Sequence, residues 1–214
     1  LMEGNGIKVD GAELARIVED FAQRLAVLEK QIHALAGREF NVGSPKQLGE
    51  ILFDDMKLSG GRKGKTGAYS TDAAVLEDLS AKGVEIAARM LDWRQLAKLK
   101  STYVEGLAAQ IDAVDHRVHT SYGMAGTSTG RLSSNDPNLQ NIPIRTEEGL
   151  RIRRAFVAEP GHVLLAADYS QIELRLLAHL ADVPTLRAAF EQGEDIHSRT
   201  AAEIFHLPPG GVDK

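Results

Sequence analysis

The sequence predicts an α+β fold: a mostly helical first half, then a partial antiparallel sheet with flanking helices. Three observations predict it. Leu14, Val18, Phe21, Leu25, Leu28, Ile32 and Leu35 recur at alternating steps of four and three, the seam of a packing helix. From Arg117 the period changes to two, with Val118, Thr120 and Tyr122 alternating as in a strand. The apolar run Val163-Leu164-Leu165-Ala166-Ala167 ends in Asp168, and helical spacing resumes at Ile172, Leu176, Leu177 and Leu180.

The first long helix is predicted over 13–36, with Gly37 as its C′ residue. It is a packing helix, and nothing on it suggests chemistry. Ser44 is the expected N-cap of the next helix, with Pro45 at N1 and Gln47 completing a capping box. A basic, glycine-rich loop follows over 59–67. Its Gly64-Lys65-Thr66 is not a phosphate-cradling loop. The first glycine of that pattern would fall on Ser59, and no apolar strand precedes it. Ser70-Thr71-Asp72 caps a further helix carrying Val75, Leu76 and Leu79. A longer helical pattern runs from Val84 to about Leu107, with Arg94, Lys98 and Lys100 on its polar face. Asp136-Pro137-Asn138 is a turn signal. The segments 151–157 and 162–168 read as two strands, joined into a hairpin by Glu159-Pro160-Gly161. After Asp168 the chain is helical to Ala181, and Pro184 opens two short helices over about 185–191 and 196–206.

Composition narrows the classes. The 214 residues make one large domain or two small ones, and 43% hydrophobic content suits a packed core. There is no cysteine, which excludes disulfides and thiolate metal sites and fits a reducing cytoplasm. No apolar run reaches the roughly 20 residues that span a bilayer, so no membrane is expected. The first six residues show no signal peptide. A net charge of −5 argues mildly against nucleic acid. Its distribution argues the other way, with basic clusters at Lys57, Arg62, Lys63 and Lys65, at Arg89, Arg94, Lys98 and Lys100, and at Arg145, Arg151, Arg153 and Arg154.

The chemistry centres on Asp168-Tyr169-Ser170-Gln171-Ile172-Glu173-Leu174-Arg175. A carboxylate at the tip of a buried strand can hold a hard cation such as Mg²⁺. On spacing alone Asp168 serves equally as a strand end or a helix cap, and Ser170-x-x-Glu173 has the form of a capping box.

The octapeptide resembles the first metal-binding motif of the A family of DNA polymerases, the bacterial polymerase I type. Thr129-Gly130-Arg131-Leu132-Ser133-Ser134, then Asp136-Pro137-Asn138-Leu139-Gln140-Asn141-Ile142-Pro143, match the same family upstream. Asp195-Ile196-His197 and Thr200-Ala201-Ala202-Glu203-Ile204-Phe205 match it downstream, in the family's order. The resemblance implies template-directed DNA synthesis with Mg²⁺, primer–template DNA and deoxynucleoside triphosphates as partners, a monomer, and a bacterial cytoplasmic, nucleoid-associated location. It implies a helical thumb over 1–113, the first part of a palm over 114–182 and the start of fingers over 183–214.

The resemblance also assigns roles. Nucleotidyl transfer uses two divalent ions about 4 Å apart. Asp168 would be the catalytic ligand shared by both, and the Tyr169 carbonyl a second oxygen ligand. Glu173 would exclude a ribose 2′-hydroxyl, which also argues against a single-subunit RNA polymerase. Gln171 falls in the same motif, His197 would touch the incoming triphosphate, and Arg175 would make a structural ion pair. Arg131 would probe the minor groove at the primer terminus, where every base pair presents acceptors. Asn138, Gln140 and Asn141 would supply amides to the groove or backbone, or act as turn residues after Pro137. Arg145 joins this DNA-binding group. Lys98, Lys100, Ser101 and Thr102 lie in a segment resembling the thumb's grip on the duplex backbone; without the resemblance, a solvated basic helix face is the better account of Lys98 and Lys100. His116, His119, His162 and His179 lack metal-site spacing.

Met124 and Ser128 depart from the family, where glutamine and alanine are expected. The fingers helix and the second catalytic carboxylates are expected beyond residue 214, and a proofreading domain before Leu1. On this reading the 214 residues alone are not a competent polymerase, because one carboxylate cannot organise two metals. The alternatives are a non-catalytic duplex-DNA-binding module, with Asp168 idle, and a purely structural helical protein.

Overall fold

The computed structural model describes residues 1–64 and 67–207. They form an α+β fold in two compact units, Leu1–Val163 and Leu164–Lys214. The division falls inside the 114–182 segment.

In the first unit a short helix α1 (Met2–Asn5) and strand β1 (Ile7–Lys8) lead into α2 (Gly11–Ala36). At 1.5 Å per residue the 26 residues of α2 span about 39 Å. Asp10 caps its N-terminus by accepting from Glu13 N. Gly37 ends it at φ 73°, a left-handed position that suits glycine. The predicted seam is real but rotated: Leu14, Ile17, Phe21 and Ile32 are buried, while Val18, Leu25, Leu28 and Leu35 pack at the flanks.

Next comes α3 (Pro45–Gly49), continued by a π-helical turn, Glu50–Asp55. Ser44 caps α3 as expected. The reciprocal half of the capping box is absent, because Gln47 Oε1 accepts from Asn41 N, 2.8 Å away, instead of Ser44 N. Helix α4 (Ala73–Ala81) is capped by Asp72, which also accepts from the Ser70 hydroxyl. Helix α5 (Glu85–Lys98) runs through a second π segment, Leu99–Glu105, into α6 (Gly106–Ala108). The continuous helical stretch predicted from Val84 is therefore present, with wider turns near its end. The basic loop closes as a turn in which Gly64 N donates to Ala68 O and Lys63 bridges Tyr69, while Lys65 and Thr66 lie outside the described residues. Among the described residues of the loop no strand leads into a helix.

Helices α2 and α5 pass each other in opposite directions across two hydrophobic clusters. The N-terminal half of α2 (Leu14, Ile17, Phe21) meets the end of α5 and its continuation (Leu96, Leu99, Val104, Leu107), with Val9, Val118, Ile142 and Ile152. Farther along α2, Ile32 joins Leu48, Ile51, Leu52, Leu76, Ile86 and Met90.

Strand β2 (Arg117–Val118) pairs antiparallel with β1, and β3 (Ser121–Gly123) with β4 (Ser133–Asn135), giving two small sheets. The segment 151–157 is not a strand. It lies mostly in α7 (Glu147–Arg154), followed by a single bridge between Phe156 and Val9. Thr146 caps α7, two glutamates occupy its first turn and three arginines its last, all complementing the helix dipole. Ile152, buried between two arginines, mimics alternation over so short a span. Helix α7 is tied to α2 by Arg24–Glu148 (2.6 Å) and Arg151–Asp20 (2.6 Å), with both guanidiniums near the Phe21 ring. The turn at 159–162 exists, with His162 N donating to Glu159 O, but there is no hairpin ladder around it. Glu159 instead accepts from Lys8 and Arg117, which hold its carboxyl below the usual range.

In the second unit, 164–168 forms no strand, contrary to expectation, because the described residues offer it no ladder partner. Helices α8 (Ile172–Leu180), α9 (Pro184–Glu191) and α10 (Ile196–Phe205) follow. Among the described side chains of these helices, Ala178, Ala189 and Ile196 are buried.

Candidate nucleic-acid and nucleotide site

In the first unit the loop that carries Arg131 is joined to the turn that carries Asn138, Gln140 and Asn141. The loop joining β3 to β4 turns at Gly130 (φ 72°) and is held by the Thr127 hydroxyl donating to Arg131 O at 2.7 Å. The side chain of Arg131 is exposed. Gln140 Nε2 donates to Leu132 O at 2.9 Å, tying the 138–141 turn to the loop beside Arg131. Asn138 Oδ1 accepts from the backbone of Gln140 (3.0 Å) and Asn141 (3.3 Å). Asn138 Oδ1 and Gln140 Nε2 thus serve the turn after Pro137.

Thr120 and Ser134, which sequence reasoning did not assign to the site, hold this surface together. Both are buried, their hydroxyls 2.7 Å apart. Thr120 Oγ1 also lies 2.9 Å from Asn135 O and 2.8 Å from Pro137 O, and Ser134 Oγ accepts from Leu139 N at 3.1 Å. The signal was present: Thr120 is the middle member of the Val118–Thr120–Tyr122 alternation, where an inward hydroxyl needs partners. Arg145 is exposed just before the α7 cap. Gly149 lets that approach sit flat on α7, since a Cβ there would fall 2.7 Å from Pro143 Cβ.

The basic helical cluster divides. Arg94 is structural, donating to both the carbonyl and the hydroxyl of Thr71. Arg89 faces Glu85 and Asp92 along its own helix. Lys98 is exposed, and Lys100 is paired with Glu105 at 2.5 Å. Ser101 and Thr102 are exposed on the π segment.

The second unit contains the residues assigned to metal and nucleotide. Asp168 is exposed in irregular chain rather than at a buried strand tip, for Val163 and Leu165 on its approach are 86% and 89% exposed. Tyr169 is also exposed. The Ser170 capping box does not form. Gln171 is the N-cap of α8, left-handed at φ 55° and without a side-chain capping bond. Glu173 lies in the first turn of α8. In place of the expected ion pair, Arg175 Nε donates to Ser170 O at 3.0 Å, and the guanidinium lies 4.5 Å from the Phe190 ring centre. His197 is exposed in the first turn of α10, whose cap Asp195 accepts from Ser198 N at 3.0 Å. Among the described residues no group of three or more His, Asp or Glu side chains is arranged to hold a metal. Asp168 and the Tyr169 carbonyl are two oxygen donors, too few for a two-ion centre.

No helix among the described residues is long and apolar enough to cross a membrane. Residues 11–214 match the model of DNA polymerase family A. The chain is 57% identical to DNA polymerase I of Rhizobium leguminosarum over 211 residues, covering 99% of this chain and 21% of that protein. It is 53% identical to DNA polymerase I of Geobacillus stearothermophilus over 207 residues, covering 96% of this chain and 23% of that one. The chain thus spans between a fifth and a quarter of the length of these relatives. The fold matches the POL domain of Pol1 from M. smegmatis, solved in complex with DNA primer-template and dNTP, with TM-score 0.86 and 42% identity. That match covers 99% of this chain and 37% of the solved one. With the family model matched along nearly its whole length, this chain belongs to DNA polymerase family A.

Proposed function

We propose that this chain is the part of a template-directed DNA polymerase that grips primer–template duplex and contributes one carboxylate, Asp168, to a catalytic Mg²⁺ centre. The observation that carries this reading is the fold match to a polymerase domain solved with primer-template and dNTP. In this reading residues 1–113 are thumb, 114–182 the first part of the palm and 183–214 the start of the fingers. Lys98, Lys100, Ser101 and Thr102 meet the duplex backbone, where basic side chains displace counterions. Arg131, with Asn138, Gln140, Asn141 and Arg145, meets the minor groove and flanking phosphates. Gln171, Glu173 and His197 face the incoming deoxynucleotide, Glu173 as the gate against a 2′-hydroxyl. A monomer in the bacterial cytoplasm, working at the nucleoid, belongs with the same reading.

Asp168 and the Tyr169 carbonyl would be hard-oxygen ligands to Mg²⁺, and the ion would polarise phosphoryl oxygens. Because those donors do not complete a two-ion centre, no catalytic step is assigned to the 214 residues alone. The test is a primer-extension and gel-retardation assay with the purified chain, labelled primer–template, deoxynucleoside triphosphates and Mg²⁺. The expected result is retardation without extension. Extension would overturn the single-carboxylate account, and failure to retard the duplex would overturn the grip. Retardation by the isolated chain cannot by itself separate a polymerase part from a passive duplex-binding module. Restoring the remainder of the polymerase does: Asp168→Ala then abolishes extension, whereas a passive module would leave extension unchanged.

A further inference from the structure

His119, just after β2, has both ring nitrogens against groups that can only accept. Nδ1 lies 2.7 Å from the carbonyl of Glu3, and Nε2 lies 2.9 Å from Asp115 Oδ2. A neutral imidazole carries one N–H and can satisfy one of them, so both bonds require the imidazolium. Glu3 also fastens the N-terminal segment to the β3–β4 hairpin. While the Glu3 carbonyl holds His119, the Glu3 carboxylate accepts from the backbone N–H of Tyr122 at 2.6 Å. Tyr122 is the middle residue of β3, paired with Ser134. Gly6 follows α1 at φ 56°, and a Cβ there would fall 2.7 Å from His119 Cε1 and 2.8 Å from the Val118 carbonyl. The chain thus passes directly against the ring, where a side chain would displace it.

We propose that His119 is an obligate imidazolium that latches α1 onto β3, so that its deprotonation frees the N-terminal segment from the β3–β4 hairpin. The groups facing the ring are Glu3 from α1 and Asp115 and Asp112 from the turn before β2, while Arg117 of β2 acts on Asp115. The Glu3 carbonyl and then the Asp115 carboxylate raise the His119 pKa above its ordinary 6.5. A folded-state pKa raised in this way stabilises the latch fully below the unfolded value. That contribution is lost as pH rises through the folded value. Any effect on DNA rests on the Arg131 reading above, because Arg131 lies in the loop of this hairpin. The latch itself does not rest on it.

The test uses the 214-residue chain without DNA, so its failure is separate from failure of the polymerase reading. Histidine side-chain NMR and amide hydrogen exchange are followed from about pH 6 to about pH 9, bracketing an ordinary or raised histidine. His119 is expected to titrate above 6.5 with both ring nitrogens protonated below its midpoint. Above that midpoint, the protection factor of the Tyr122 amide is expected to fall by up to roughly tenfold per pH unit. His119→Gln should remove this pH step, since glutamine cannot donate to both acceptors. If that variant does not fold, Asp115→Asn should still lower the His119 midpoint. A His119 midpoint at or below 6.5, or Tyr122 protection that does not change with pH, would overturn the latch.

Discussion

Phe21 and Leu176 each sit on the apolar stripe of a helix, yet Phe21 is fully buried and Leu176 is 52% exposed. The difference runs through the two compact units. In Leu1–Val163, α2 and α5 present facing stripes and close two hydrophobic clusters between them. In Leu164–Lys214 the stripe of α8 leaves Leu176, Leu177 and Leu180 exposed, and among the described residues two alanines and one isoleucine are buried. Amphipathic spacing specifies a helix and its face. Burial requires a second face, and for α8 the described residues of its own unit supply little of one.

The contrast can be broken by truncation. Phe21→Ala should cost about 3–5 kcal/mol, the range for emptying an aromatic site in a closed core, read from the denaturant midpoint. Gly149→Ala should cost about 1–3 kcal/mol by overpacking against Pro143, with a matching fall in melting temperature. Leu176→Ala should stay within about 0.5 kcal/mol, as at an exposed site. A loss at Leu176 comparable with that at Phe21 would erase the distinction between the units.

The same contrast explains which parts of the fold were legible. Helix α2 and the caps Ser44 and Asp72 depend on local spacing and local hydrogen bonds, and they lie where the sequence places them. The strand expected over 162–168 depends on a partner strand, which no local pattern contains. Segment 151–157 alternates like a strand, but its end signals, the Thr146 cap with acids first and arginines last, are those of a helix. In the candidate site, Arg131 and the Asn138–Asn141 amides were legible as residues. Their division of labour was not. Asn138 organises the turn through local bonds, whereas Thr120 supports it through contacts with Ser134, Asn135 and Pro137, between segments about 15 residues apart. Arg94 shows the reverse error: a cation on a predicted basic face turns inward to Thr71.

The grip on duplex DNA is tested most directly by fluorescence anisotropy of a labelled primer–template across a salt series. The chain is compared with its Lys98→Ala, Arg131→Ala, Arg145→Ala triple variant. Affinity should fall linearly with salt on logarithmic axes, and the triple variant should bind more weakly, with a slope shallower by roughly one for each cation removed. Equal affinity and equal slope for the two proteins would contradict the account.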